Sequence, residues 1–486
     1  MRTLSSQLIQ SLSTKANLPV IGTKINGQWN WTKKQHLLHS INYCHQILKD
    51  EHIQKGDRIA YKGNNSVEWV SWNIACNAMG AVWVPMYTKQ TTKYCDYILS
   101  DCNPSLYITE TGNTSLDISS NTKVIGNSIT PLTNYEMDIR PHNLASLIYT
   151  SGTTGNPKGV MLSNENILSN IDDIRLRFNE MGHTTSLNIL PWAHIYSQTC
   201  ELYYNLLYDN KMAIASSKEH FIKECGEIKP DVLYVVPRVL DLIKDKLSVL
   251  DYPIVKMITP LVLKKVLGNQ LETIFTGGAK LNTNTRDFFV SHGYKICEGY
   301  GCSELAPMVS VNHMECPRDE NSIGKVLDNI IVEIIDNEIQ VSGPNVMIGY
   351  WNQPEQSNDV LVHRDNKIWY KTGDSGYLEN DFLYYTGRIN DNYKLSNGKF
   401  VNVDETEAII KKYINGMVIV CGENQDRNDI ITDQHITSQI KEQINEELDP
   451  YLHINTIYYL PTDEWAPFLT PKLSIKRKLL INHMKP

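Results

Sequence analysis

The order of apolar segments predicts an α/β fold built on parallel sheet. A strand-like Arg58-Ile-Ala-Tyr61 is followed by Ser66 to Met79, which has helical length and pattern, and then by a second strand-like run, Gly80-Ala-Val-Trp-Val-Pro85. Parallel strands need a crossover of about this length, so strand, helix, strand in succession favours parallel pairing. The pattern recurs downstream. Lys211-Met-Ala-Ile-Ala215, Asp231-Val-Leu-Tyr-Val-Val236 and Glu272-Thr-Ile-Phe275 are short apolar runs set between helical segments, as expected of strands buried on both faces. A third observation limits the parallel region. From residue 320 to 390 the texture changes, and Ile330-Ile-Val-Glu-Ile-Ile335 and Glu338-Ile-Gln-Val341 flank Asp336-Asn337, a hairpin-like turn. This part reads as a smaller antiparallel β unit.

The flanks follow the same logic. The first residues, MRTLSSQLIQSLSTK, space Leu and Ile as a short amphipathic helix and lack the long apolar core of a signal peptide. A polar break at Gly387-Arg-Ile-Asn-Asp-Asn392 follows the strand-like Phe382-Leu-Tyr-Tyr385. Beyond it, Gly416-Met-Val-Ile-Val420 and Ile454-Asn-Thr-Ile-Tyr-Tyr459 suit strands, and Ile436, Ile440, Ile444 and Leu448 form one face of a helix that Asp449-Pro450 ends. The expected division is a large domain over 1–387, with a β-rich subdomain from about 320 to 387, and a small α+β domain over 388–486.

Composition removes several function classes. The net charge of −8 comes without a long basic block, which argues against nucleic acid as partner. The ten cysteines are scattered with no CxxC pair, so zinc is not expected, and a reduced setting, cytoplasmic or nuclear, is the simple reading. No stretch reaches 18 apolar residues, so no transmembrane helix is expected, while peripheral membrane contact stays open.

One loop points to chemistry. Tyr149-Thr-Ser-Gly-Thr-Thr-Gly-Asn-Pro-Lys-Gly159 joins hydroxyl side chains, glycines and a lysine. Glycines let backbone N–H groups converge on an anion, hydroxyls add donors, and a lysine neutralises charge without demanding fixed geometry. Polyphosphate suits this composition. The Walker A pattern is absent, because Gly155 is followed by Asn-Pro-Lys. Taken alone, a loop of this composition is more often an ordinary surface loop.

The full string resembles the AMP-binding motif of the ANL adenylate-forming enzymes. Further blocks follow in that family's order: Thr276-Gly-Gly-Ala-Lys-Leu281, Glu298-Gly-Tyr-Gly-Cys-Ser-Glu304, Val341-Ser-Gly-Pro-Asn-Val-Met-Ile-Gly-Tyr-Trp351, Tyr370-Lys-Thr-Gly-Asp374 and Gly387-Arg388. The resemblance runs from about Gly56 to the C-terminus. Pro191-Trp-Ala-His-Ile-Tyr196, Val236-Pro-Arg-Val239 and Lys394-Leu-Ser-Asn-Gly-Lys-Phe-Val401 are most similar to AMP-forming long-chain fatty acyl-CoA synthetases, although the chain is short for that subgroup.

The resemblance implies a large domain of two parallel-rich sheets flanked by helices, a small β-barrel-like unit and a hinged C-terminal domain. It implies a ligase that uses ATP, Mg2+ and CoA on a fatty acid. Thr150, Ser151, Gly152, Thr153, Thr154, Gly155 and Lys158 would hold the β- and γ-phosphates. Glu304 would hold the metal, since a hard cation takes oxygen ligands, with Ser303 beside it. Tyr300 and Gly301, with Gly277, Gly278 and Ala279, would border the adenine, and Asp374 would accept hydrogen bonds from the ribose hydroxyls. Arg388 would contact ribose or phosphate, unless it forms a linker salt bridge. His194 would orient the carboxylate and Trp192 would line the acyl tunnel, with a packed histidine and a core aromatic as the competing readings. Asn390 falls at the swivel position, and Gly398 stands where the pantetheine would pass, or in a plain Asn-Gly turn.

The pattern departs from the family near the end. The family's C-terminal lysine, which donates to the carboxylate and α-phosphate during adenylation, aligns with Ser474 in Leu469-Thr-Pro-Lys-Leu-Ser-Ile-Lys-Arg477. Three outcomes stay open: Lys472, two residues away, substitutes for it; adenylation is weak; or the chain is an adenylation-deficient nucleotide- or acyl-binding relative. Transfer of the acyl group to a carrier protein is the alternative to CoA.

Overall fold

The computed structural model describes residues 2–111, 115–117, 139–150, 156–178, 181–248, 261–315, 318–319, 321–469 and 475–485. Two sheets dominate it. In the larger, Pro19–Ile25, Lys211–Ile214, Thr185–Asn188, Val232–Val235, Thr273–Gly277 and Lys295–Gly301 lie side by side, all parallel. In the smaller, Leu144–Thr150, Val82–Met86, Arg58–Lys62 and Leu106–Thr111 are parallel, and Lys158–Ser163 folds back antiparallel on Leu144–Thr150. The strands read from the sequence are present, with ends moved by at most three residues. Ser66 is a cap, not a helical residue: its hydroxyl accepts the Trp69 N–H at 3.0 Å, and the helix runs from Val67 to Ala78.

The β-rich segment after residue 320 does not stand apart. Met308–Val311, Lys325–Val326, Phe382–Arg388, Lys367–Glu379, Glu338–Ser342 and Ile331–Ile335 continue the larger sheet in antiparallel order. The Asp336-Asn337 turn is a tight hairpin, with both residues in the left-handed region (φ 49° and 67°) as a two-residue turn of this hand requires. After Arg388 the chain builds a three-stranded sheet of Val418–Cys421, Asn428–Thr432 and Ile454–Tyr459, with helices Val403–Ile410 and Ser438–Glu447 packed on its own apolar core.

Between the two sheets lies a helical layer. Helix Val67–Ala78 is buried on all sides beyond its first turn, which is why its sequence carries apolar residues around the whole circumference. Its Trp69 meets Trp83 of the smaller sheet edge-on at 5.2 Å and Trp192 at 5.5 Å. Helix Leu4–Leu12 docks on this layer through Leu4, Leu8 and Leu12, so the short amphipathic helix expected at the N-terminus packs into the core. Among the described residues, no helix is long and apolar enough to cross a membrane.

One polar group sits deep in this layer. Glu201 is fully buried in the π-helical turn Ser197–Tyr203 and accepts hydrogen bonds from Asn188 Nδ2 at 2.6 Å and Ser186 Oγ at 3.1 Å. Burial pushes its carboxyl up to about 8, against the pull of those donors. In the unfolded chain an ordinary Glu releases its proton at about 4.3. The folded state therefore holds a proton that the unfolded state gives up, and the stability this group contributes below that pH is lost as pH rises to 8. Glu201→Gln keeps the shape and cannot ionise. Its stability relative to the native chain should rise by about 1.4 kcal/mol per pH unit between roughly pH 5 and 8 and be flat outside that window. Urea unfolding across that pH range measures it, and a pH-independent difference would contradict the buried neutral acid.

Candidate active site

A cleft of about 2400 Å³ runs between the two sheets and the C-terminal region. Its wall is assembled where parallel strands end. Gly63, Tyr87 and Thr150 follow or end strands of the smaller sheet, and Ile189, Ala215, Gly277 and Gly301 do so in the larger one. Loops at the carboxyl ends of parallel strands are free to carry side chains into a shared crevice while the strands fix their positions. Two glycines answer local constraints. A Cβ on Gly301 would stand 1.8 Å from the Pro307 carbonyl oxygen, and Gly278 has φ +80° with open space around it.

Of the residues singled out from the sequence, Thr150, Lys158, His194, Gly277, Gly278, Ala279, Tyr300, Gly301, Ser303, Glu304, Asp374, Arg388 and Asn390 line this one cleft. They come from segments as far apart as residues 150 and 390. Ser151, Gly152, Thr153, Thr154 and Gly155, with Lys472 and Ser474, lie outside the described residues. The neighbours of the last two are described: Leu469 and Ile475 pair as an antiparallel bridge, and both line the cleft.

At the centre, the Asp374 carboxylate is gripped from two sides. Arg388 Nε approaches Oδ1 at 2.8 Å and the Tyr300 hydroxyl donates to Oδ2 at 2.6 Å. Asp374 and Arg388 are direct partners across adjacent strands, so the register of the hairpin sets the ion pair. Burial pushes the Asp374 carboxyl above its ordinary range, and Arg388 and the Tyr300 hydroxyl pull it back.

Nearby, the Tyr350 hydroxyl donates to Glu304 Oε1 at 2.9 Å, and Lys158 Nζ lies 4.8 Å from the Tyr350 ring centre. One aromatic thus spaces a cation and a carboxylate on the same wall. Ser303 Oγ and Thr276 Oγ1 are buried and have no hydrogen-bond partner among the described residues. A buried hydroxyl left without a partner is costly, which is what a group waiting for a ligand oxygen looks like. A lone carboxylate beside such a hydroxyl fits Mg2+, which takes one or two protein oxygens and fills its remaining positions from phosphates and water. No cluster of three or more metal-ligating side chains occurs among the described residues.

The turn that carries His194 is held from behind. Asn65 Nδ2 donates to Asn188 Oδ1 at 2.6 Å and to the Leu190 carbonyl at 2.8 Å, and its Oδ1 accepts the Trp192 N–H at 2.8 Å. Asn188 in turn donates to Glu201. His194 Nδ1 accepts the Tyr196 N–H at 3.1 Å, which fixes the ring against its own loop.

Two expected residues lie elsewhere. Trp192 does not line the cleft: its side chain is fully buried and packs on Trp69, while His194, two residues on, lines the cleft. Gly398, with φ +79°, sits in the turn joining Tyr393–Lys394 to Phe400–Val401, away from the cleft walls. Sequence reasoning overlooked Glu298, Tyr350 and Asn65. Glu298 lines the cleft, accepts the Leu281 N–H at 3.1 Å, and is pushed up to about 7 by burial. Its place at the head of Glu298-Gly-Tyr-Gly-Cys-Ser-Glu304 was the available signal.

Two layers of α/β structure meeting at a cleft of this composition define an adenylate-forming enzyme. The chain belongs to the family of AMP-binding enzymes, whose model matches residues 19–351. It is 24% identical to a long-chain-fatty-acid–CoA ligase of Mycobacterium bovis, over 88% of this chain and 86% of that one, and 26% identical to a long-chain-fatty-acid–CoA ligase of Bacillus subtilis, over 70% and 59%. Solved structures share the fold. O-succinylbenzoate coenzyme A synthetase of Bacillus subtilis in complex with AMP gives a TM-score of 0.79 at 20% identity, with 98% of this chain and 97% of that one covered. ATP-bound MatB of Rhodopseudomonas palustris gives 0.81 at 20% identity, with 100% and 99% covered.

The glycine geometry sets a test of the cleft wall. Gly301→Ala forces a backbone clash, so a loss of several kcal/mol in unfolding free energy is expected, near the upper end for single substitutions. Gly278→Ala meets only the left-handed penalty, about 1–2 kcal/mol. Urea denaturation of both variants checks the order, and equal losses would refute it.

Proposed function

We propose that this enzyme activates a fatty acid in two steps on the one cleft. A carboxylate oxygen attacks the α-phosphorus of ATP, a new P–O bond forms, the bond to the bridging oxygen breaks, and pyrophosphate leaves from acyl-AMP. The sulfur of CoA then attacks the acyl carbonyl, the C–O bond to phosphate breaks, and AMP leaves as the thiol gives up its proton. The observation that carries the reading is the convergence of Lys158, Ser303, Glu304 and Asp374 on one cleft. The relatives named as long-chain-fatty-acid–CoA ligases support an aliphatic acid and CoA as the co-substrates.

The roles follow from chemistry. Asp374, already ordered by Arg388 and Tyr300, accepts the two ribose hydroxyls, and its partners save the ordering cost when the nucleotide arrives. Lys158 and Thr150, with the hydroxyl-rich loop between them, offset the crowding of charge between carboxylate and polyphosphate. Ser303 donates its unpaired hydroxyl to a phosphate oxygen. The carboxylate of Glu304, steadied by Tyr350, would hold Mg2+ together with phosphate oxygens, and the ion would neutralise charge on the leaving pyrophosphate. Tyr300 offers its ring to the adenine and His194 orients the acid. Asn390 lies in the 3-10 turn Ile389–Asp391, where the chain leaves the larger sheet, and serves as the swivel for the small domain.

The departure at Ser474 is resolved by kinetics. Lys472, two residues before Ser474, is the cation the sequence offers in its place. If it substitutes for the family's lysine, Lys472→Ala loses about 10²–10³ in ATP–pyrophosphate exchange, and intact exchange would mean the substitution idea is wrong. Asp374→Ala should lower kcat/KM for ATP by about 10²-fold through the loss of charged hydrogen bonds. The whole reading is tested with the purified chain, ATP, Mg2+, CoA and a panel of fatty acids. Acyl-CoA and AMP in equal amounts are expected. Transfer to an acyl carrier protein but not to CoA would move the second step to a carrier.

A further inference from the structure

Lys158, Ser303, Glu304 and Asp374 are polar lining of the cleft, so an acid whose carboxylate meets the α-phosphate among them must lay its tail on apolar lining. Tyr196, Phe275 and Met308 are such lining, and they also border a void next to the cleft. The void is about 10 Å³. A cavity needs about 10–15 Å³ on this measure to hold one water, so the void is at most about one water in size and takes no alkyl chain as it stands.

The void is small because rings fill the space around it. Phe178, at the end of helix Asn164–Arg177, is 1% exposed and meets Phe275 edge-on, with ring centres 5.0 Å apart. Tyr234 stacks on Phe275 at 5.1 Å and 13°. Phe178 also stacks on His313 at 5.5 Å and 6°. The rings therefore brace one another, and none can turn away without displacing a buried neighbour. The Tyr196 hydroxyl is buried at this wall without a hydrogen-bond partner among the described residues, a polar atom that a long alkyl chain would have to pass.

We propose that the acyl pocket of this enzyme ends at the wall of Phe178, Tyr196 and Phe275, and that it selects short aliphatic carboxylic acids over long-chain ones. The inference rests on the fatty-acyl reading above and narrows its substrate class. Phe178 is the residue that sets the limit, because it fills the space directly behind Phe275 without lining the cleft itself.

The experiment measures kcat/KM of the full chain for butanoate, octanoate, dodecanoate and hexadecanoate with ATP, Mg2+ and CoA. Butanoate is expected to exceed hexadecanoate by at least about 10-fold, the discrimination that one ill-fitting methylene produces in an apolar pocket. Phe178 and Met181 both line the void, so Phe178→Leu and Met181→Ala each enlarge it, and each should shift the ratio toward the longer acids by about 10-fold. Should Phe178→Leu fail to fold, the native ratio and Met181→Ala still decide. Hexadecanoate turned over by the native chain as well as butanoate overturns the inference and leaves the fatty-acyl reading standing. So does a ratio unmoved in folded variants. Absence of acyl-CoA from every acid overturns the fatty-acyl reading, and this inference with it.

Discussion

The grip of Arg388 and Tyr300 on the Asp374 carboxylate ties together parts of the chain that have no other reason to meet. Tyr300 is the last residue but one of a parallel strand of the larger sheet, Asp374 lies on a long strand of its antiparallel extension, and Arg388 is the last strand residue before the small C-terminal unit. A buried carboxylate needs such partners, because an isolated one would be too costly to keep charged. Once they are in place, the parallel and antiparallel parts of the sheet share one fixed point on the cleft. The remaining groups are arranged around it: the cation and carboxylate spaced by Tyr350, the unpaired hydroxyl of Ser303, and the His194 turn.

What the sequence made legible was what is local. The strand–helix–strand order around Arg58 to Pro85 and the hairpin at Asp336-Asn337 are read from neighbours in the chain, and the structure contains them. The motif residues were legible for the same reason, since Glu298 to Glu304 is one continuous string whose spacing is kept by a strand and a turn. The contacts that make those residues a site were not legible. Tyr350 reaches Glu304 across 46 positions, and Asn65 reaches the Trp192 backbone across 127. Trp192 illustrates the limit: it stands two residues from His194, and the turn between them sends the two side chains to different places. Composition identifies an aromatic but not which way a turn will aim it.

The aromatic wall between cleft and void has the same origin. Phe178, Tyr196, Tyr234 and Phe275 come from the end of one helix, the start of another and two strands, and nothing in any one segment announces that they converge. Behind them, the Glu201 network holds the His194 turn through Asn188 and Asn65 with hydrogen bonds in place of packing alone. The two devices are complementary. Rings set how much space there is, while directional hydrogen bonds set where the polar groups at its mouth stand.

The hairpin that carries Asp374 and Arg388 has a consequence for how this chain can change length. Its tip is Asn380-Asp381, both in the left-handed region, and the strands pair residue by residue from there to Asp374 and Arg388, with one irregularity at Ser375–Gly376. Residues inserted at the tip would lengthen the turn and leave every pair below it in place. A single residue inserted into either strand would shift the register, turn one of the two charges to the opposite face, and dissolve the pair. Within a span of fifteen residues, tolerance to insertion and deletion should therefore be concentrated at two positions, so that the geometry of the site is inherited as a spacing as much as a set of side chains.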